Sequence, residues 1–385
     1  MSKIDQALAL MEQEGIDLLV ATSEANIAFL TGYWSVGKRL LPLIPMFATL
    51  DRHANVRLVS GKAELPSAVA SGMQASQFRF YGGFYFAFAD ADIHPDFREA
   101  LAATHETGFE ALATLSNGVR KVAIDGEGLT FSSWTKAAAS FPGADIQDAS
   151  PSFKTLRLHK ESEELAILER SGKIMEEAVL LACRSFRAGQ TENDLHAVID
   201  TYVVEQGARP NFCVVASGPN GAFVDTATTN RVIGINDSVR FDVGCVYKGY
   251  HSDIARTAYT GEPSGKLRTY YGAIYRGLQA MIKMTKPGTA AADLFAAGVR
   301  VTQQNGIAHY QRNHCGHGIG REVYELPPIT SFSTYTLEPG MTMCLETPYY
   351  EIGWTGIQVE DTLVVTQDGC RLFTNSPAEM IRMGN

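Results

Sequence analysis

Apolar positions recur with two different periods along the chain, and the change of period marks the elements. Ile4 to Met11 carries apolar residues at helical spacing, and Asp17-Leu-Leu-Val-Ala-Thr has the short continuous apolar run of a buried strand. Phe47–Leu50 and Val56–Ser60 read as strands joined through Asp51-Arg-His, Pro66–Gly72 as a helix, and Val122-Ala-Ile-Asp as a further strand. This alternation predicts an α/β layer. From Lys160 to Arg187 a charged amphipathic stretch predicts one long helix, stopped at Ala188-Gly189, and Thr191 opens a second that ends near Gly207. Tyr270–Thr285 and Ala291–Asn305 are helical, while Leu337–Pro348 and Gly356–Thr366 read as strands. Helices and strands grouped in runs predict an α+β arrangement, with helices on one face of an antiparallel sheet. The change of character near residue 155 divides the chain into domains 1–155 and 156–385. The aromatic run Tyr81-Gly-Gly-Phe-Tyr-Phe-Ala-Phe reads equally as a mobile surface loop or as core strand.

Composition narrows the class. A chain of 385 residues with 45% apolar and 19% charged residues is globular and fits two domains. Its net charge of −9 argues against nucleic acid or an anionic membrane as the main partner. The six cysteines form no CxxC pair, which suits reduced thiols in the cytoplasm. No signal-like start is visible, and the apolar stretch Leu40–Leu50 is broken by Pro42 and Pro45, so no membrane span is expected.

The chemistry concentrates in the second domain. Arg240-Phe-Asp-Val-Gly-Cys-Val-Tyr-Lys-Gly-Tyr-His-Ser-Asp reads as a β-hairpin turning at Tyr247-Lys248, which sets Asp242 opposite Asp253. Taken alone, the pair is as well read as two exposed residues flanking a turn; opposed within a sheet, it calls for a cation between the carboxylates. Glu346 and Glu360 each interrupt an apolar strand, an expensive placement unless the carboxylate is paired or bound to metal. Between the hairpin and these two strands Asn313-His-Cys-Gly-His-Gly-Ile-Gly offers His317 among glycines that let the backbone approach closely. Four carboxylates and one imidazole suit two divalent cations, whose charge they balance. The oxygen-rich set leans towards Mn²⁺ or Fe²⁺, with Co²⁺ and Zn²⁺ as further possibilities.

These motifs resemble the pita-bread metallohydrolases, which include aminopeptidase P, prolidase, methionine aminopeptidase and the metal-free creatinase. The segment Asn26-Ile-Ala-Phe-Leu-Thr-Gly-Tyr resembles the N-terminal domain of the prolidase and creatinase branch. The resemblance implies a creatinase-type α/β domain followed by a pita-bread catalytic domain. It implies that Asp242 binds one ion, that Asp253 and Glu360 bridge two, and that His317 and Glu346 complete the second, with Glu346 handling the proton of the bridging water. The implied reaction is hydrolysis of an amide or peptide C–N bond in a small molecule or short peptide by a metal-bridging hydroxide, in a homodimer whose N-terminal domain helps close the site.

Three departures from the peptidase pattern stand out. Asp225 and Tyr324 occupy positions where the peptidases carry histidine, and Gln358 stands where the prolidase branch favours arginine. His314 is a partial substitute for the missing imidazoles. The expectation is therefore a small amide with a cationic or hydrogen-donating group near a buried Asp225, and Tyr324 as the oxyanion donor. An Xaa-Pro peptidase proper is the alternative. So are relatives that hydrolyse ectoine, act like creatinase or cleave dimethylsulfoniopropionate as a lyase. A metal-free binding module is the alternative outside the enzymes.

Overall fold

The computed structural model describes residues 2–87 and 104–384; Phe88, the last residue of the aromatic run, lies outside them. The described residues fall into two compact units, Met1–Leu156 and Arg157–Asn385.

The first unit is a seven-stranded mixed sheet with helices packed on it. Its strands are β1 (Leu18–Ala21), β2 (Phe47–Asp51), β3 (Val56–Gly61), β4 (Phe78–Tyr81), β5 (Thr104–His105), β6 (Lys121–Ile124) and β7 (Asp145–Asp148), in the order β5-β4-β3-β2-β1-β6-β7. β1 is buried at every position, as its unbroken apolar run requires. It pairs antiparallel with β2 and parallel with β6. Beyond β4 the aromatic run leaves the sheet: Phe84 is 52% and Tyr85 97% exposed. The surface-loop reading holds for this part.

The second unit opens with helices Ser162–Ser185 and Glu192–Glu205. The second starts where Thr191 and Asp194 exchange side-chain and backbone hydrogen bonds in a capping box. Next come β8 (Arg209–Ser217), β9 (Ser238–Tyr247), β10 (Tyr250–His251) and β11 (Ile254–Tyr259), then helices Gly265–Met284 and Ala291–Gln304. The remaining strands are β12 (Gly316–Gly318), β13 (Glu325–Pro328), β14 (Thr342–Glu346), β15 (Tyr349–Glu351), β16 (Thr355–Ile357), β17 (Glu360–Val365), β18 (Cys370–Leu372) and β19 (Ile381–Arg382). Ten of them form one sheet around the path β10-β9-β11-β17-β14-β12-β13. Residues 356–366 are not one strand: the chain breaks at Gln358-Val359 between β16 and β17.

The hairpin turns one residue later than the sequence suggested. Tyr250 pairs with Tyr247, so Lys248 and Gly249 form the turn, at φ of 49° and 83°. Positive φ at both central residues is what a type I′ turn demands, and here a lysine adopts it beside the glycine. The shift moves the partner of Asp242 to Ala255, leaving Asp253 as a diagonal neighbour rather than the residue directly opposite.

Candidate metal centre

The register assembles the site. Asp242 on β9 faces Ala255 on β11, Ala255 faces Glu360 on β17, and Glu360 faces Glu346 on β14. Three carboxylates thus share one row across four adjacent strands, with a small alanine between the first two. Asp253 lies two residues before Ala255, and His317 on β12 pairs with Cys344, two residues before Glu346. The remaining two donors therefore fall on the next row of the same face. Asp253 Oδ2 lies 3.5 Å from His317 Nε2 although two strands separate theirs, so the sheet bends around this face. One oxygen-or-nitrogen donor from each of Asp253, His317 and Glu360 falls within 4.8 Å of the others, and all three residues are buried.

Electrostatics show what is missing between these groups. Burial, then the Asp253 carboxylate, pushes Asp242 up to about 7. Burial likewise raises Asp253, and burial together with Asp253 and Glu346 raises Glu360 well above the carboxylate range. Asp253 Oδ1 is buried with no hydrogen-bond partner. Buried oxygens that repel one another, one of them orphaned, fit divalent cations. Glu346 differs. Burial would raise it, but the His314 hydrogen bond (Nδ1 to Oε1, 3.0 Å) and the Arg312 guanidinium, 3.8 Å away, more than offset this and hold it low. His314 thus belongs to the cluster.

The other two expected residues sit differently. Tyr324 is 68% exposed and packs its ring against His317, with centroids 4.0 Å apart and the planes tilted by 34°. Asp225 is exposed, in a loop beyond the short helix Gly218–Ala222. The buried, uncompensated carboxylate expected there does not exist: the loop turns the side chain out to solvent.

Sequence reasoning missed Arg240, Arg312 and Tyr350. Arg240 is wholly buried beside Asp242, and both guanidinium groups lie near the Tyr350 ring, at 5.3 and 5.9 Å from its centroid. A charge inside the apolar strand Val239-Arg-Phe-Asp-Val was the available signal, the same one that singled out the two glutamates. A separate group, His196, Asp200 and Cys213, also gathers donor atoms within 4.8 Å. There His196 and Asp200 already pair at 3.2 Å, and burial holds the Cys213 thiol protonated.

A bent sheet carrying an oxygen-rich donor set on one face defines a metal-dependent hydrolase. Comparison with known proteins agrees. Residues 166–367 match the model of metallopeptidase family M24, and residues 3–159 that of the creatinase/prolidase N-terminal domain. An Xaa-Pro dipeptidase of Lactobacillus delbrueckii subsp. lactis is 32% identical over 262 residues, 67% of this chain and 71% of its own. An uncharacterized peptidase of Bacillus subtilis is 28% identical over 384 residues, covering 98% of this chain and 99% of its own. The solved dipeptidase PepE of Mycobacterium ulcerans superposes with a TM-score of 0.79 at 25% identity, over 100% of this chain and 97% of its own. The chain belongs to metallopeptidase family M24, with the pita-bread fold in its second unit, and is a metal-dependent hydrolase.

Proposed function

We propose that the protein hydrolyses the amide bond of a dipeptide-sized substrate, and that Asp242, Asp253, His317, Glu346 and Glu360 hold two divalent ions for the reaction. The observation that carries this reading is the row of buried carboxylates with the orphaned Asp253 Oδ1. Asp242 would serve one ion, Asp253 and Glu360 both, and His317 with Glu346 the other. When bound, the ions polarise the scissile carbonyl and make hydroxide accessible near neutral pH. Glu346, held between His314 on Oε1 and Gln358 Nε2 at 3.3 Å from Oε2, is oriented to take and return a proton. Arg312, mostly buried alongside it, offers a positive charge to a substrate carboxylate.

Because Asp225 is exposed, it imposes no cationic group on the substrate, and Xaa-Pro dipeptides are candidates alongside other small amides. Its carboxylate at the loop tip remains available to a substrate ammonium. A panel of Xaa-Pro dipeptides, N-acyl amino acids and cyclic amides, assayed with Mn²⁺, Fe²⁺, Co²⁺ or Zn²⁺, tests the reading. Turnover that survives exhaustive chelation would overturn it. The oxygen-rich donors favour Mn²⁺.

Tyr324→Phe keeps the ring on His317 and removes only the hydroxyl. If that hydroxyl supports the developing oxyanion, kcat falls about 10²-fold, the usual loss for one such donor. An unchanged kcat would leave Tyr324 as a lid over His317 alone.

A homodimer accounts for the exposed apolar residues Leu40, Leu41 and Leu43, together with Phe84 and Tyr85. Light scattering at micromolar concentration should give twice the chain mass. All six cysteines are free, which suits a reducing cytoplasm, and no described helix is long and apolar enough to cross a membrane.

A further inference from the structure

We propose that Arg240 is a positioning residue that ties the loop at the mouth of the site to its carboxylates, and that a guanidinium supplied instead from position 358 would do the same work. The proposal rests on the metal-centre reading above.

Arg240 is the largest fully buried side chain among the described residues. A buried guanidinium is tolerated only when its donors are satisfied. Here Nε donates to the Gly221 carbonyl at 3.2 Å, and Nη2 donates to the carbonyls of Phe223 and Val224 at 2.8 and 2.7 Å. Nη1 donates to Asp242 Oδ2 at 3.2 Å and to Gln358 Oε1 at 3.0 Å. Gln358 passes the connection on, since its Nε2 donates to Glu346 Oε2. One side chain therefore contacts three loop carbonyls, one carboxylate of the cluster directly and a second through an amide.

The loop stems need no such help. Buried Glu192 accepts from the backbone and hydroxyl groups of Ser217 and Thr229 and from Asn220. In the middle, where Phe223, Val224 and Asp225 are exposed, it is Arg240 that holds the Phe223 and Val224 carbonyls. Those exposed side chains are the part of the loop that can meet a substrate.

The sheet explains why the guanidinium could come from elsewhere. Arg240 faces Thr257 across β9 and β11. Thr257 in turn exchanges two hydrogen bonds of 2.9 Å with the backbone of Gln358, its Oγ1 donating to the backbone carbonyl and accepting from the backbone N–H. Positions 240 and 358 thus flank one residue, and their side chains already meet.

The test compares Arg240→Gln, Arg240→Lys, Gln358→Arg and the double variant Arg240→Gln/Gln358→Arg, with three readouts. These are metal affinity by calorimetry, chymotrypsin cleavage after Phe223 in the metal-free protein, mapped by mass spectrometry, and kcat/KM on the best substrate. Arg240→Gln should weaken metal binding about 10–100-fold, the usual cost of losing an outer partner of a ligand. It should also make Phe223 cleavable and lower kcat/KM about 10²-fold. Arg240→Lys keeps a charge near Asp242 but cannot serve three carbonyls, so metal affinity should hold while cleavage rises. Gln358→Arg alone places two guanidinium groups together and should weaken metal binding. The double variant should recover at least about tenfold in metal affinity and regain protection at Phe223, as the 10–100-fold loss is reversed.

Wild-type protection and affinity in Arg240→Gln would overturn the proposal. So would a double variant no better than the single one, including the case where neither folds. If no peptide is turned over at all, the cleavage and calorimetry readouts still decide the role of Arg240, while the functional reading fails by itself.

Discussion

Asp253→Ala should abolish hydrolysis, reducing kcat/KM by at least about 10³-fold, because a metal centre supplies several kcal/mol of charge stabilisation and about 4 kcal/mol is that factor. Asp253 contributes one oxygen 3.5 Å from His317 Nε2 and another that is buried and unpartnered, so both of its oxygens lie where a cation would be received. Its loss should lower bound metal from two ions to at most one per chain, measured by elemental analysis after dialysis. The fold should survive, for a physical reason. Without metal, the carboxylates of Asp242, Asp253, Glu346 and Glu360 repel one another in a buried site. Asp253→Asn, which removes that charge and keeps the shape, should therefore melt higher than wild type when both are metal-free, by about 2–4 °C per kcal/mol of repulsion relieved. With excess metal the order should reverse, since the wild type gains the binding energy of the ion that the variant loses, about 2.7 kcal/mol at a hundredfold excess over Kd. Full metal occupancy in Asp253→Ala would remove Asp253 from the ligand set.

The four carboxylates that the structure brings together could be picked out in the sequence because of where they sit. Glu346 and Glu360 are charges within apolar strands, and Asp242 and Asp253 flank a turn signal too closely to ignore. The long helix from Ser162 and the capped helix after Thr191 were legible from period and caps. The hairpin register was not, because it turns on Lys248 adopting positive φ, which only the packed sheet enforces. The seven-strand order was equally hidden: β1 pairs with β6, about a hundred residues away, and no local pattern records that choice. The exposure of Asp225 depends on where a loop is held, and the holding groups are Glu192 and Arg240, upstream and downstream of it. Arg240 and Gln358 meet across 118 residues of chain. In sequence they are two separate oddities, a charge in an apolar strand and a glutamine where arginine is usual in the branch. The structure makes them one contact.

The residue after Tyr324 carries the largest expected effect on stability. The Glu325 side chain is 3% exposed, and so are those of Lys160 and Arg157, the cations it faces at 2.8 and 3.5 Å. It also accepts from the backbone N–H groups of Arg321 and Glu322. Burial would raise its pKa, but Lys160 and Arg157 more than offset that and hold it below the ordinary value of 4.5. Glu325→Gln preserves the shape and leaves buried Lys160 facing a neutral amide, while Arg157 keeps its Glu322 partner, so it should cost about 3–5 kcal/mol. At the 2–4 °C per kcal/mol typical of a unit this size, that is a fall of about 10 °C in Tm. The pH dependence separates charge from packing. A carboxylate depressed in the folded state contributes its full stability above the unfolded value and loses it as pH falls through the folded one. The gap between wild type and variant should therefore be constant from pH 6 to 8 and close below about pH 4.5. A gap that stays the same size as the pH is taken well below 4.5, towards the acid limit of the fold, would trace the loss to packing instead. Because β13 begins at Glu325 and pairs with the strand bearing His317, the same variant should also weaken metal binding. That loss should be smaller than the one in Asp253→Ala, since Glu325 holds the strand and not the ion.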